Sequence, residues 1–162
     1  MQQLVKQATA SGKTYFDRAG AAAALKPHKL PAYFLDFETI SPAVPLWAGT
    51  RPFLQVPFQF SCHRLSRTGA LQYREFLHVD STDPSADFVA ALLVACDSEA
   101  SNAPIFVYNQ GFESARIKEL AKRLPSSAVR YFLSLIGWLI CCLSQERATT
   151  ILHSEAAGAL KR

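Results

Sequence analysis

Two carboxylates one residue apart inside an otherwise apolar run, Ala32-Tyr33-Phe34-Leu35-Asp36-Phe37-Glu38-Thr39, constrain this chain more than any other stretch. The apolar and aromatic residues predict an interior β-strand. Side chains alternate across a strand, so Asp36 and Glu38 share one face while Leu35 and Phe37 pack on the other. Carboxylates are rarely buried unless they are paired or hold a cation. Oxygen ligands converging at a strand end suit hard ions, which makes Mg²⁺ or Mn²⁺ the cofactor this pair would take. An Asp-x-Glu tripeptide on a solvated face is common and carries no such meaning; the apolar setting distinguishes this one.

A chain of 162 residues that is 49% hydrophobic builds one domain with a core and leaves little room for a second. Its formal charge of +4 is compatible with a polyanionic partner such as nucleic acid, but carries no information about which sequence is bound. Cys62, Cys96, Cys141 and Cys142 lack the spacing and companion histidines of a zinc site, so reduced thiols and a cytoplasmic location are expected. Met1 to Ala10 shows no secretory pattern.

Three segments are expected along the chain: a helical lead-in over 1–30, an α/β domain over 31–125, and a hydrophobic tail over 126–162. Within the domain, Ser41 to Pro57 is a loop held extended by its four prolines. Phe58 to His63 and Leu71 to Leu77 alternate around a Thr68-Gly69 turn and predict a hairpin. Asp83-Pro84 opens a helix through Phe88, Ala91, Leu92 and Ala95. Pro104 to Tyr108 is a second buried strand, followed by a helix from about Phe112 to Leu124. That helix turns Ile117, Leu120, Ala121 and Leu124 inward and Arg116, Lys118, Lys122 and Arg123 outward. The order describes a mixed sheet: a three-strand meander, a crossover helix and a parallel strand.

Polar sites in such sheets gather at strand ends, and both Asp36/Glu38 and Asn109 to Glu113 lie at such ends. Glu113 would complete a three-acid set with Asp36 and Glu38, the kind a two-metal phosphodiesterase needs. It also reads as an ordinary acid complementing its helix N-terminus. Asn109, Gln59, Lys118 and Lys122 are the candidate nucleic-acid contacts, although a sheet residue with a local hydrogen bond explains Gln59 and a solvated basic face explains Lys118 and Lys122. Nothing in the spacing ties His63, His78 or His153 to the role of general base.

Asp36-Phe37-Glu38-Thr39 and Tyr108-Asn109-Gln110-Gly111-Phe112-Glu113 resemble the first two motifs of the ribonuclease H-like 3′-5′ exonucleases, which carry four acidic metal ligands. Within that superfamily the chain is similar to a bacterial domain-of-unknown-function family, which shares Pro57 to Ser61, His63, Pro45-Leu46-Trp47, Thr50-Arg51-Pro52 and Glu119-Leu120-Ala121. The resemblance runs from about Tyr33 to Pro125. It implies a ribonuclease H-like sheet and a metal-dependent nuclease with Asp36, Glu38 and Glu113 as ligands and catalytic residues. Position 113 departs from the wider pattern, which has aspartate there. A fourth acid from a later helix is missing, and no aspartate follows Asp97. The expected protein is therefore truncated and weak or inactive, with a non-catalytic nucleic-acid-binding module as the alternative.

Tyr131 to Leu143 is an apolar run too short to span a bilayer comfortably. A small peripheral membrane protein held by this run is a third reading. The codons open to residues 137–162 also admit a frame shifted by one position that resembles the family's continuation, with an Arg-Leu-Val-Asp helix and a later Tyr-His-Pro segment. A frameshift between about Pro125 and Ile136 would account for the abrupt end of the resemblance.

Overall fold

The computed structural model describes residues 2–12, 16–96, 103–124 and 140–142. Contacts divide the chain into Met1–His28 with Cys142–Arg162, and Lys29–Cys141. The first unit holds two helices, α1 (Gln2–Ser11) and α2 (Arg18–Leu25). Asp17 caps α2, its side chain accepting from the Gly20 N–H at 2.9 Å.

The second unit is built on a sheet. β1 (Ala32–Ile40), β2 (Val56–Leu65) and β3 (Leu71–Leu77) form an antiparallel meander; α3 (Ser85–Ala95) then crosses to β4 (Ile105–Val107), which pairs parallel with β1. α4 (Gln110–Arg123) follows directly, and β5 (Ile140–Cys142) completes the strand order β3-β2-β1-β4-β5. The meander forms where alternation and turn chemistry agree: Ser66 N–H bonds the Ala70 carbonyl at 2.9 Å, and Gly69 takes φ 84° beside the expected turn. The crossover follows from the apolar face of α3, which needs a sheet to cover it.

Tyr33, Leu35, Phe37, Phe60, Cys62, Ile105 and Val107 of the sheet form one core with Phe88, Val89 and Leu92 of α3 and with Ile117 and Leu120 of α4. Phe88, fully buried, meets Phe60, Phe37 and Phe76 edge-on with ring centroids 5.5, 5.7 and 6.1 Å apart. Edge-to-face contacts of this kind add to the burial of the rings themselves.

Two expectations need correction. Around the acids β1 is buried on one face only: Leu35 and Phe37 are covered, while Asp36 and Glu38 are exposed. No second layer among the described residues encloses the acids, and Asp36 is desolvated only in part. The basic face of α4 is also divided. Arg116 bonds Gln55 and pairs with Glu119 at 3.0 Å, and Arg123 pairs with Asp83 at 2.6 Å, so both serve packing; Lys118 and Lys122 are exposed.

The α3 start is shifted by one residue from the expected Asp83 cap. Pro84 occupies the cap position, and Asp83 Oδ1 accepts from the Ser85 N–H at 3.0 Å. Apart from β5, the tail lies outside the described residues, as does His153. Among the described residues no helix is long and apolar enough to cross a membrane.

Candidate functional site

β1 and β4 run parallel, so their C-terminal ends open on the same edge of the sheet, and only Tyr108 and Asn109 separate β4 from α4. Asp36 and Glu38 stand on the open face, where antiparallel register sets Ser61 opposite Asp36 and the half-buried Gln59 opposite Glu38. The register shifts between Glu38 and Thr39. A bulge at such a point twists the strand and re-aims the side chains beside it.

Glu113 enters from α4. The start of that helix is closed by a reciprocal pair: Asn109 Oδ1 accepts from the Phe112 N–H at 3.2 Å, and Glu113 Oε1 accepts from the Asn109 N–H at 3.4 Å. Phe112 sets the helix against the sheet, its ring 6.1 Å from that of Phe37. Capping explains one carboxylate oxygen. The other, Oε2, is buried with no hydrogen-bond partner among the described residues, on a residue that is only 3% exposed. An unpartnered buried carboxylate oxygen is costly and calls for a proton or a cation.

The electrostatics agree. Burial pushes the Glu113 carboxyl above its usual range against the pull of the backbone N–H groups of Glu113 and Asn109, and the negative charge of Asp36 adds to the rise. Asp36 is raised as well, chiefly by partial desolvation of its carboxylate and against a hydrogen bond from the Phe37 backbone. The fold thus brings Asp36 and Glu113 into each other's field across 77 residues of sequence. Glu38 lies one pleat further along β1. Among the described residues no three His, Cys, Asp or Glu side chains gather closely enough to hold a metal ion by themselves. Magnesium does not require such a cage, since it keeps several waters and takes one or two carboxylates together with substrate phosphates. A buried orphan oxygen beside a second acid fits that habit.

The remaining candidates separate by their surroundings. The side-chain oxygen of Asn109 caps the start of α4. Gln59 stays beside Glu38. Lys118 and Lys122 are exposed on α4. His63 leans on Tyr73, with ring centroids 4.7 Å apart, two register positions from Asp36. His78 serves the β3–α3 connection through Thr82 at 3.1 Å and Asp87 at 3.6 Å.

Sequence reasoning gave Arg51 and Asp83 no part beyond a loop motif and a helix cap, and passed over Phe53. Asp83 joins Arg123 and Ser85 in a network that ties α3 to the end of α4. Only the acid and base at helix termini hinted at it. Phe53 carries φ 58°, for which a phenylalanine gives no signal at all.

The fold and the site define a mixed α/β protein with an acidic pair at the edge of its sheet. Over residues 33–159 the chain matches the family described as a domain of unknown function, DUF2779, and it belongs to that family. The matched span runs past Pro125, where the sequence resemblance was expected to end, and takes in most of the tail. No curated protein and no solved structure matches the chain.

Proposed function

We propose that this protein is a divalent-metal-dependent phosphodiesterase of the ribonuclease H-like 3′-5′ exonuclease type, acting on nucleic acid. The observation that carries the proposal is Glu113 Oε2, buried and unpartnered at the sheet edge within the field of Asp36. A mixed sheet with an antiparallel meander and one parallel pair is compatible with that reading.

Asp36 and Glu113 would hold Mg²⁺ or Mn²⁺, with Glu38 and Gln59 beside them on the open face. When bound, such an ion activates water for attack on a phosphodiester and stabilises the charge that builds on the leaving oxygen. The protein's own part is to position these acids. β1 fixes Asp36 and Glu38 on one face, and the capped start of α4 fixes Glu113 opposite. Exposure of Asp36 and Glu38 leaves room for a polymeric substrate to approach. With fewer than three acids converging among the described residues, turnover is expected to be slow.

The test is Mn²⁺-dependent cleavage of labelled single- and double-stranded DNA and RNA. Asp36→Asn is expected to lower cleavage by about 10²-fold or more, the scale on which an electrostatic group at the reacting centre acts, while binding is retained. A wild-type protein that binds nucleic acid with steep salt dependence and never cleaves it would move the function to a non-catalytic binding module.

A further inference from the structure

Phe53 is held in a conformation that its residue type disfavours, with its ring in solvent. Its φ is 58°, in the left-handed region where a bulky side chain is an outlier, and it is 67% exposed. The backbone there is pinned on both sides. The Phe53 N–H bonds the Pro42 carbonyl at 2.9 Å, and the Phe53 carbonyl accepts from the Ser41 hydroxyl at 3.0 Å. The next residue, Leu54, is buried and bonds back to the Arg51 carbonyl at 3.0 Å. Further up the loop, the Trp47 indole N–H bonds the Ser81 carbonyl at 2.9 Å. An ordered loop therefore presents an apolar ring to water, the reverse of what burial of apolar surface would select.

The position of that ring is informative. Ser41 and Pro42 directly follow β1, the strand that carries Asp36 and Glu38. Three residues of extended chain separate Glu38 from Ser41, so the pin lies within about 10 Å of Glu38. Two residues before the ring, Arg51 is 69% exposed at its side chain and 3.7 Å from Glu119. Glu119 also faces Arg116, at 3.0 Å. One carboxylate serves two guanidiniums, which leaves net positive charge there, with Arg51 two residues along the loop from the exposed ring. A π face next to a cation is what a single strand asks for, since every base stacks and every phosphate attracts.

We infer that Arg51 and Phe53 form a binding lip for single-stranded nucleic acid at the mouth of the acidic site, with the Phe53 ring stacking on a base and the Arg51 guanidinium meeting a phosphate. The inference rests on the proposed nuclease reading and adds to it the residues that seat the strand. Strain at Phe53 persists because the loop over-determines the backbone, a situation associated with functional positions.

The experiment measures binding of a fluorescein-labelled single-stranded oligonucleotide by anisotropy in Ca²⁺, and cleavage of the same oligonucleotide in Mn²⁺. Phe53→Ala is expected to weaken binding by about 10-fold or more and Phe53→Trp to retain it, as the loss of one stacked base predicts. Arg51→Gln is expected to reduce the slope of log affinity against log salt by about one. Phe53→Gly relieves the backbone and is expected to melt at or above the wild-type temperature while losing binding; a lower melting temperature in this variant would make the ring structural and overturn the inference. If Phe53→Ala binds like the wild type while Asp36→Asn abolishes cleavage, the lip is refuted and the nuclease reading stands. If the wild type neither binds nor cleaves, the nuclease reading falls and the lip falls with it. Loss of an oligomeric state in Phe53→Ala with unchanged binding would assign the ring to a protein contact and likewise overturn it.

Discussion

Replacing Glu113 by glutamine turns the buried carboxylate into a measurable pH dependence. The carboxyl is raised from an ordinary value of 4.5 by burial first and by Asp36 last, so the folded protein holds a proton there that the unfolded chain has released. The stability linked to this group is fully present below the unfolded value and is lost as pH rises through the raised one. Within that window one proton separates the two states, and the slope reaches about 1.4 kcal/mol per pH unit. At this chain length about 2–4 °C of melting temperature accompanies each kcal/mol, so the wild type should lose melting temperature as pH rises above the ordinary carboxylate range, by about 6 °C per pH unit at the steepest. Glu113→Gln keeps an acceptor for the Asn109 N–H and has nothing to titrate. It should be within about 1 kcal/mol of wild type at acid pH and gain on it as pH rises. Thermal melts followed by circular dichroism between about pH 4 and pH 8, in chelator, give the difference directly. Asp36 adds a slope of the same sign to both proteins and largely cancels. A wild-type-minus-variant difference that stays flat across the range would refute the argument.

Other outcomes follow from neighbouring features. Mn²⁺ at about 100 times its dissociation constant should stabilise the wild type by about 2.7 kcal/mol, read as a rise in melting temperature, and leave Glu113→Gln unmoved. Phe88→Ala empties the centre of the aromatic cluster and should cost about 3–5 kcal/mol, measured as a fall in urea midpoint at unchanged m. Burial opposes ionisation of Asp83, but hydrogen bonds from Ser85 and the Arg123 guanidinium outweigh it and hold the carboxyl below its usual range. The stability of that link is present above the unfolded value and disappears as pH falls through the lowered one. Asp83→Asn should therefore cost about 1 kcal/mol near neutrality, a figure reduced because the carboxylate is 33% exposed, and nothing in strong acid.

Much of the local structure was legible because it rests on short-range rules. Alternation placed Asp36 and Glu38 on one face and Leu35 and Phe37 on the other, which the burial along β1 repeats. Thr68-Gly69 marked the hairpin, and apolar spacing marked the inner side of α4 at Ile117 and Leu120. The acid motifs also named Glu113 as a partner for Asp36. What remained hidden depends on residues far apart in the chain. Arg123 reads as a solvated helix residue until α4 carries it to Asp83, 40 positions away.

Strand and helix identity, the meander and its crossover, and the pairing of acids on one face were determined by the sequence alone, because side-chain period and turn chemistry act within a few residues. The tertiary structure decided which face of β1 stays open, which oxygen of Glu113 is left without a partner, and where the Phe53 ring points. Those outcomes depend on desolvation and on hydrogen bonds between distant segments, which exist only once the sheet has assembled.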